Sequence, residues 1–469
     1  MTPGLGERTA AAADGLVGRL AGRLPAGTVV TDPDVMGRFV HDEAEWAPFG
    51  APRAVVRPRT TAEVAEVVAA CAATGTPLVT RGAGTGLSGG ANAVDGCVVL
   101  STELMTAIRT IDPANQIAVV EPGVINDDLR QAAARQGLWY PPDPASYQIS
   151  TIGGNVATNA GGLCCLKYGV TRDYVLALEV VLASGKVVRL GSATNKNSAG
   201  YDLRGLMVGS EGTLGVVTEI TLRLRPLPKG PPTTVVGFFD TLTAAGDAVA
   251  AVTASGVVPV ALELLDRYCL RAVEEWKRME LDLDAAVLLL ARVDTPGAVG
   301  EEEAATVLRC FEAAGATDAL RSDDEETAEA LFAARRLAYP ALERLGPLLT
   351  EDVCVPRTRV TEMLAAIEAA GVRHGVTIAN IAHAGDGNLH PLFVVPAGDD
   401  AARRRAQAAF DDVIAAAIAL GGTVSGEHGI GLLKRAGLAA QVGPDVLALY
   451  AAVKQALDPA GILNPGKII

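Results

Sequence analysis

Short apolar runs alternate with amphipathic stretches in the first half of the chain. AVVRP at 54–58 predicts a strand, and the following TTAEVAEVVAACAATG has the three- and four-residue apolar spacing of a helix. A threonine at 60 or 61 is placed to cap that helix, with Glu63 and Glu66 after it. PLVT predicts a second strand that runs directly into a glycine-rich loop. Further strands are predicted at CVVLS, IAVVEPG, LALEVVLA, VVRL and GVVTEITLRLRP.

The pattern changes after RPLPKGPP at 225–232, where proline and glycine exclude regular structure. Beyond it, VVGFF, VALELLD and AAVLLLARVD predict strands separated by helices. This rhythm is typical of an antiparallel sheet with helices packed on one face. EDVCVP and TIANIAH predict further strands around the helix VTEMLAAIEAAGV. A long alanine-rich helix over about 401–420 precedes a glycine-framed turn, another helix and the closing NPGKII.

These boundaries predict an α+β protein of several domains, as expected for 469 residues. Residues 1–48 form an N-terminal helical segment, which begins as an amphipathic surface helix rather than a signal peptide. A glycine-rich α+β domain covers 49–228 and the antiparallel-sheet domain covers 229–420. Residues 421–469 form a C-terminal segment that we expect to return to the first domain.

Composition narrows the class of function. The formal charge of −14 argues against nucleic-acid binding, which requires a basic face. The seven cysteines form no CxxC pair, which favours reduced thiols over a zinc ribbon or a disulfide framework. No stretch approaches 18 apolar residues, so we expect no membrane span. Together these features predict a cytoplasmic globular protein.

The loop TRGAGTGLSGGA at 80–91 contains a formal GxGxxG motif, but its context argues against a nicotinamide-binding fold. That fold needs a long helix after the glycines, whereas a turn and another strand follow here. Successive main-chain N–H groups without Cβ atoms can instead surround a diphosphate. Arg81, Thr85 and Ser88 add donors. A merely flexible loop is the alternative.

Three more segments extend this pattern. TIGGNVATNAGG at 151–162 would let a planar ring approach the backbone closely, PPDPAS at 141–146 leads into it, and VGSEGTLGVVTEI at 208–220 is a third glycine-rich turn. Together the segments predict a groove for a ligand with a diphosphate, a ribitol-like chain and a flat ring.

Two histidines bracket a tight turn in HAGDGNLH at 383–390, and a third lies in SGEHGIG at 425–431. A hairpin through AGDGN would bring His383 and His390 together. Two imidazoles and a carboxylate make a divalent metal site, for which Glu427 is the natural third ligand, leaving His428 free. The alternative is structural histidines that cap turns. We assign Asp386 and Asn388 to turn geometry.

TRGAGTGLSGG, PPDPAS, TIGGNVATNAGG, KYGVTRDYVLALEVVLASGKVV and GSEGTLGVVTEI closely resemble the FAD-binding domain of the vanillyl-alcohol-oxidase (PCMH-type) flavoproteins. HAGDGNLH, SGEHGIGLLKR and NPGKII resemble the D-2-hydroxyacid dehydrogenase branch of that family. The branch includes cytochrome-linked D-lactate dehydrogenase, the glycolate oxidase D subunit and D-2-hydroxyglutarate dehydrogenase. The resemblance runs from about residue 35 to the C-terminus. It implies an FAD-binding domain of two α+β subdomains and a substrate-carrying cap domain.

The resemblance also implies the roles of individual residues. Noncovalent FAD would be held at its pyrophosphate by Arg81, Gly82, Ala83, Gly84, Thr85, Gly86, Leu87, Ser88, Gly89 and Gly90. The flavin and its ribityl chain would lie against Pro142, Ser146, Thr151, Gly153, Gly154, Asn155, Thr158 and Gly162. Glu211, Gly212 and Val217 would approach the adenosine side, and Asn464 would close over the flavin. His383, His390 and Glu427 match the metal ligands and His428 matches the active-site base. Zinc is favoured, with manganese and iron as alternatives.

The implied reaction is oxidation of a 2-hydroxy acid to a 2-oxo acid, with hydride transfer to flavin N5 and His428 accepting the hydroxyl proton. Arg335 matches the carboxylate-binding arginine, although a one-residue shift would exchange it with Arg336. Hydroxyglutarate-specific members carry a lysine near position 350 and an asparagine two residues after the second metal histidine. Thr350 and Leu392 stand there in this sequence, and Tyr339 replaces a small hydroxyl residue in the substrate site. We therefore expect D-lactate or glycolate before D-2-hydroxyglutarate.

Several alternatives remain at this point. Alkyl-glycerone-phosphate synthases share the FAD fold but carry a different histidine cluster. A non-catalytic FAD-binding subunit and an oxidase that uses oxygen directly are further alternatives. The electron acceptor is a quinone, a cytochrome, an electron-transfer flavoprotein or a partner subunit with iron–sulfur clusters. A quinone would require peripheral contact with a membrane. The oligomeric state is open, a homodimer being one alternative.

Overall fold

The computed structural model describes residues 15–322 and 325–469, and for 325–328 the backbone alone. Residues 15–23 are helical (α1), and the rest of the amphipathic helix predicted at the N-terminus lies outside the described residues. Leu16 and Leu20 on this helix, and Leu24 just after it, pack into a core beneath it. The start of the described chain is therefore anchored by one apolar stripe.

The first subdomain is a four-stranded sheet with the order β1-β2-β4-β3. Strands β2, β4 and β3 are parallel, and β1 pairs antiparallel to β2. The elements of this part are β1 (Val29–Val30), α2 (Pro33–Met36), a 3-10 turn (Gly37–Phe39), β2 (Ala54–Val56), α3 (Thr61–Thr74), β3 (Leu78–Arg81) and β4 (Val98–Ser101). A loop and not a helix connects β3 to β4, which confirms the predicted departure from a nicotinamide-binding fold.

The second subdomain is a five-stranded antiparallel sheet with the order β5-β6-β10-β8-β9. Its strands are β5 (Ile108–Asp112), β6 (Ile117–Val120), β8 (Val175–Val181), β9 (Val187–Gly191) and β10 (Val216–Arg223). Its helices are α4 (Asn126–Ala134), α5 (Ile152–Thr158), α6 (Cys165–Tyr168), α7 (Thr171–Tyr174) and α8 (Leu203–Met207). A two-stranded ribbon joins β7 (Leu138–Trp139) to β11 (Arg225–Pro226).

The cap domain is built on an eight-stranded sheet whose pairings are all antiparallel. Its strands are β12 (Thr233–Phe239), β13 (Ala261–Asp266), β14 (Val287–Val293), β15 (Asp318–Ser322), β16 (Leu348–Thr350), β17 (Val353–Cys354), β18 (Ile378–His383) and β19 (Asn388–Val394). His383 is the last residue of β18, and His390 is the third residue of β19, after the hairpin turn.

Helices cover both faces of the cap sheet. Four pack on one face: α9 (Leu242–Ala254), α11 (Gly297–Ala313), α13 (Val360–His374) and α14 (Asp400–Ala419). The predicted fold class is confirmed, but a second layer of α10 (Arg267–Lys277) and α12 (Glu325–Glu343) covers the opposite face. The strands have apolar residues on both sides, as in Leu288 and Leu289, so both faces require cover.

The C-terminal segment returns to the first subdomain after α15 (Arg435–Leu457). Leu463 forms a parallel bridge with Leu78, and the Lys454 ammonium donates to the carbonyls of Thr213 and Leu463. Among the described residues, α15 is the one helix long and apolar enough to cross a membrane by length and composition. Gly443, at φ 74° and ψ 173°, interrupts it, and the part after this break is too short at ~1.5 Å per residue to cross a ~30 Å hydrocarbon core.

Candidate functional site

A cavity lies between the glycine-rich segments of the two subdomains. It is lined by 14 of the residues predicted to hold FAD: Gly82, Ala83, Gly84, Thr85, Gly86, Ser88, Gly90, Thr151, Gly153, Gly154, Thr158, Glu211, Gly212 and Val217. Three of the four segments, 80–91, 151–162 and 208–220, therefore meet around one space, although they are far apart in sequence. The glycine-lined walls of this space fit a ligand with a diphosphate and a flat ring.

Close backbone approach explains some of these glycines. A Cβ on Gly82 would lie 2.4 Å from the Thr151 hydroxyl, and a Cβ on Gly153 would lie 2.5 Å from the Cβ of Pro122. Larger residues would force the cavity walls apart, because atoms cannot approach so closely.

Eight residues predicted to hold FAD lie outside the lining of this cavity: Arg81, Leu87, Gly89, Pro142, Ser146, Asn155, Gly162 and Asn464. The Arg81 guanidinium donates to the His41 carbonyl at 2.6 Å, and the Asn155 amide is occupied by Asn126 and Ser150. The Asn464 amide donates to the carbonyls of Gly90 and Glu211. In this structure these three polar side chains brace the walls.

Sequence reasoning missed nine residues of the cavity wall: Asp42, Thr80, Ala91, Thr102, Pro122, Ala157, Met207, Ser210 and Gly215. Five of these lie inside the quoted glycine-rich motifs but were not assigned to the cofactor: Thr80, Ala91, Ala157, Ser210 and Gly215. Asp42 lies in the N-terminal segment, where no sequence pattern pointed to the cavity.

His383, His390 and Glu427 come together as the sequence predicts. The Nε2 atoms of both histidines lie 3.3 Å from the same oxygen, Oε1 of Glu427. The imidazole centroids are 5.2 Å apart with an interplanar angle of 88°. One ligand atom from each residue lies within 4.8 Å of the others. Two nitrogens and a carboxylate converging on one point fit a divalent cation.

The pairing of strands accounts for this convergence. His383 lies opposite Asn388, and His390 lies opposite Ile381, so both imidazoles project from the same face of the hairpin. Glu427 arrives from the loop 425–431, which follows α14. A Cβ on Gly161 would lie 2.4 Å from Oε2 of Glu427, so the second glycine-rich segment packs directly against this group.

Glu263 on β13 links a predicted metal-ligand histidine to the predicted substrate-binding arginine. Its carboxylate lies 2.8 Å from Nδ1 of His383 and accepts a hydrogen bond from Nε of Arg335 at 2.7 Å. All three side chains are buried, and Glu263 is opposite His383 in the sheet. Arg335 reaches them from α12. Sequence reasoning missed Glu263, since it lies 120 residues from His383 in the chain.

The charges around His383 favour a cation at this position. Burial alone would lower the pKa of His383, but the carboxylates of Glu263 and Glu427 raise it to about 10. Burial would raise the pKa of Glu427, but the two histidines hold it well below its ordinary value. A positive charge is therefore stabilised between these groups, and a bound cation would supply it in place of the proton.

His428 connects the two parts of the site. It lines the glycine-walled cavity and also stacks on His390, with ring centroids 4.8 Å apart and an interplanar angle of 15°. Its Nε2 lies 4.0 Å from Oε1 of Glu427. Burial lowers the pKa of His428 to about 4, so its imidazole is neutral near pH 7 and has a free lone pair.

Residues of the first domain form hydrogen bonds that hold the loop carrying Glu427 and His428. The Ser88 hydroxyl donates to the Gly429 carbonyl at 2.9 Å. The Glu211 carboxylate accepts from the backbone N–H groups of Ile430 and Gly431 at 2.7 and 2.8 Å. Burial raises the pKa of Glu211 to about 7. Residues of the cavity wall therefore also hold the histidine loop in place.

The residues predicted to select the substrate lie beside the group of His383, His390 and Glu427, on the face of the cap sheet that α12 covers. Thr350 and Leu392 are opposite each other on β16 and β19, and both are buried. The Thr350 hydroxyl lies 3.4 Å from the Tyr339 hydroxyl. Arg336 forms an ion pair with Glu329, and its side chain is 42% exposed, whereas that of Arg335 is 7% exposed. Arg335 is thus the one that points into the protein.

Comparison with known proteins identifies the family. Residues 52–191 match the family model of an FAD binding domain, and 231–468 match that of the C-terminal domain of FAD linked oxidases. The chain is 41% identical over 418 residues to the glycolate oxidase subunit GlcD of Bacillus subtilis strain 168, covering 89% of each protein. It is 37% identical over 457 residues to a D-lactate dehydrogenase of Anaerostipes hadrus, covering 94% of each.

Solved structures agree on the fold. p-Cresol methylhydroxylase with bound substrate superposes with a TM-score of 0.81, covering 98% of this chain and 97% of that one at 20% identity. The chain belongs to the FAD-linked oxidases, with the PCMH-type fold that the sequence motifs predicted. It is an FAD-binding oxidoreductase.

Proposed function

We propose that this protein oxidises a D-2-hydroxy acid, D-lactate or glycolate before others, using noncovalent FAD and a divalent metal, most simply zinc. The observation that carries the proposal is the position of His428. It lines the cavity that fits FAD and also stacks on His390 of the metal-ligating group. A substrate held at that group would lie between a neutral base and the flavin. The similarity to a glycolate oxidase subunit and a D-lactate dehydrogenase supports the same class of substrate.

When bound, FAD would accept a hydride at N5, and a divalent cation would polarise the hydroxyl and carboxylate oxygens of the substrate. His383, His390 and Glu427 would hold the cation, and the cavity walls would hold the cofactor. Cys164 donates its thiol hydrogen to the carboxylate of Asp143, and burial raises the pKa of this thiol well above its ordinary value. An unreactive thiol supports noncovalent attachment of the flavin.

The chain's own residues would orient the substrate and move its proton. Nε of Arg335 is bound to Glu263, which fixes the guanidinium and leaves its two terminal nitrogens for the substrate carboxylate. His428 would accept the hydroxyl proton at Nε2 as the hydride leaves Cα. Because its imidazole is buried and neutral, it is ready to accept that proton without first losing one.

The proposed substrate preference follows from the residues on the face of the cap sheet that α12 covers. Leu392 and Thr350 replace the amide and ammonium groups that would bind a distal carboxylate, and both are fixed by strand pairing. A second substrate carboxylate would lose water there without gaining a partner.

This preference is tested by steady-state kinetics with an artificial dye as electron acceptor, using D-lactate, glycolate, D-2-hydroxyglutarate and L-lactate. We expect kcat/KM to be highest for D-lactate or glycolate. A tenfold preference for D-2-hydroxyglutarate would instead make the protein a D-2-hydroxyglutarate dehydrogenase, and preference for L-lactate would contradict the assigned stereochemistry.

A second candidate is the FAD-binding catalytic subunit of a multi-subunit glycolate oxidase, which the similarity to the glycolate oxidase subunit GlcD of Bacillus subtilis favours. In that case the electrons pass to a partner subunit, and otherwise to a quinone, a cytochrome or an electron-transfer flavoprotein. The two candidates differ in a simple assay. Turnover of glycolate by the isolated chain with each acceptor favours an independent enzyme, and turnover that requires a co-purified partner favours the subunit.

A further inference from the structure

Asp352 holds the loop that carries Glu427 and His428. It lies between β16 and β17, at the level of His390 on β19, and is fully buried. Its Oδ2 atom accepts from the Ser425 hydroxyl at 2.7 Å and from the backbone N–H groups of Glu427 and His428 at 3.0 and 2.8 Å. One carboxylate oxygen thus fixes the backbone of a predicted metal ligand and of the predicted base.

The other oxygen of Asp352 faces the imidazole of His390, and His428 belongs to the same group. Oδ1 lies 3.7 Å from Nδ1 of His390, and one atom from each of Asp352, His390 and His428 lies within 4.8 Å of the others. Among the described residues, Oδ1 of Asp352, Nδ1 of His390 and Nδ1 of His428 are all buried without a hydrogen-bond partner. Asp352, His390 and His428 thus form one polar cluster behind the proposed metal-ligating group.

The chemistry of this cluster restricts the histidine tautomers. A carboxylate oxygen can only accept hydrogen bonds, so it favours a proton on each Nδ1. The Nε2 atoms of His390 and His428 lie on the other side of the rings, at 3.3 and 4.0 Å from Oε1 of Glu427. With Nδ1 protonated, both Nε2 lone pairs are directed at the place where metal and substrate would lie.

We propose that Asp352 is a positioning residue that sets His390 and His428 as Nδ1–H tautomers and holds the loop 425–429 against the metal site. This inference rests on the proposed metal-assisted function. Asp352 acts through the two histidines and Glu427 and does not itself contact the substrate. Glu263 has the matching position behind His383, so each metal-ligand histidine has its own buried carboxylate.

The same cluster could be read as a second metal site, since its atoms are close enough to share an ion. That arrangement would require His390 to bind one cation through each nitrogen and so to lose both ring protons. The tautomer role needs no such deprotonation and predicts one metal ion per chain.

The test compares Asp352→Asn with the matched control Glu351→Gln. Asparagine keeps the shape and one accepting oxygen, but its NH₂ group would donate to Nδ1 and favour a proton on Nε2, where it blocks metal binding. Glu351 is the adjacent buried carboxylate, but it pairs with Lys434 at 2.5 Å instead of facing the histidines. Both variants replace a buried carboxylate with the amide of the same shape.

The measured quantity is zinc affinity, obtained by competition with a chelator on the flavin-loaded protein. We expect D352N to bind zinc about 10- to 100-fold more weakly, the effect typical of a lost partner behind a ligand histidine, and E351Q to stay within about twofold of the parent. Equal affinity in D352N and the parent, or two zinc ions per parent chain, would overturn the inference. A parent protein that binds no zinc would instead overturn the proposed metal-assisted function.

A second measurement decides the tautomers even if D352N fails to fold. The chain has only five histidines, so the ¹⁵N-histidine NMR spectrum of the parent protein contains few imidazole signals to assign. We expect the Nδ1–H form at His390 and His428, assigned with single His→Gln variants. The Nε2–H form at either residue would overturn the inference, whatever the zinc affinity.

Discussion

Glu263 contacts two residues that would act on different parts of the substrate. It holds Nδ1 of His383 on one side and Nε of Arg335 on the other. A neutral glutamine cannot balance the arginine and can accept a hydrogen bond at only one of its two terminal atoms. Breaking a buried ion pair by removing one charge typically costs about 3–5 kcal/mol.

We therefore predict that Glu263→Gln weakens zinc binding by about 10- to 100-fold and raises KM for the hydroxy acid, since both His383 and Arg335 lose their support. Zinc titration and steady-state kinetics measure the two effects. Glu329→Gln is the control, because Glu329 pairs with Arg292 and Arg336 at the surface. Equal zinc affinity and KM in E263Q and E329Q would contradict the role given to Glu263.

His428 gives a prediction about the chemical step. Replacement by glutamine should leave FAD bound but slow anaerobic flavin reduction by about 10²- to 10⁴-fold, the usual contribution of a positioned base. Stopped-flow absorbance of the flavin measures this rate directly. His374→Gln serves as the control, because His374 pairs with Asp412 away from the site. If H428Q reduced its flavin as fast as H374Q, another group would be the base.

Glu211 makes stability depend on pH. Its folded-state pKa of about 7 is above the ordinary value of 4.5, so the folded protein holds the proton more tightly than the unfolded chain. Stability therefore falls as pH rises from about 4.5 to 7, by up to about 3 kcal/mol from this group. Glu211→Gln cannot ionise and should lack this contribution.

Urea unfolding of both proteins between pH 5 and 8 checks the sign. The free energy of unfolding of E211Q, relative to the parent, should increase with pH by up to about 3 kcal/mol. A difference that stays constant over this range would show that Glu211 is ionised throughout.

At the scale of elements, local sequence patterns predicted individual helices and the histidine hairpin, but they did not predict how strands distant in sequence pair. The helix after AVVRP is α3, capped by the Thr60 hydroxyl as expected. His383 and His390 converge because a short hairpin joins them, which is readable from HAGDGNLH alone. Glu263 and Asp352 were not predictable, because the pairing of β13 with β18 and the approach of 352 to β19 depend on the whole sheet.

The contact between the loop after β3 and the start of α5 is a second element-scale feature. Gly82 lies so close to the Thr151 hydroxyl that an added methyl group cannot fit between them. We predict that Gly82→Ala displaces one wall of the cavity and lowers the FAD content of the purified protein, measured by the ratio of flavin to protein absorbance.

The matched control for this change is Gly22→Ala, where an added Cβ meets no atom within 4 Å. This variant should keep the flavin content of the parent. Full flavin content in G82A would mean that the two segments do not limit the cavity, whereas loss in both variants would indicate a general folding defect.

At the scale of the whole molecule, the predicted cofactor cavity and the two predicted metal-ligand histidines belong to different domains. All lining residues of the cavity except His428 precede the cap domain, while His383 and His390 belong to the cap sheet. The loop 425–431 joins them, held by Asp352 on the cap side and by Ser88 and Glu211 on the other. The sequence motifs predicted both parts. The hydrogen bonds that hold the loop could be found only in the folded structure, because they join residues more than 70 positions apart.

The central claim is that one site combines flavin, metal and a D-2-hydroxy acid. It is tested most directly by anaerobic bleaching of the flavin band of the purified protein with D-lactate and glycolate. We predict bleaching by one of these acids, its loss after chelation and its recovery when a divalent metal is added back. A flavin that stays oxidised with every hydroxy acid, or that bleaches equally well after chelation, would contradict the account.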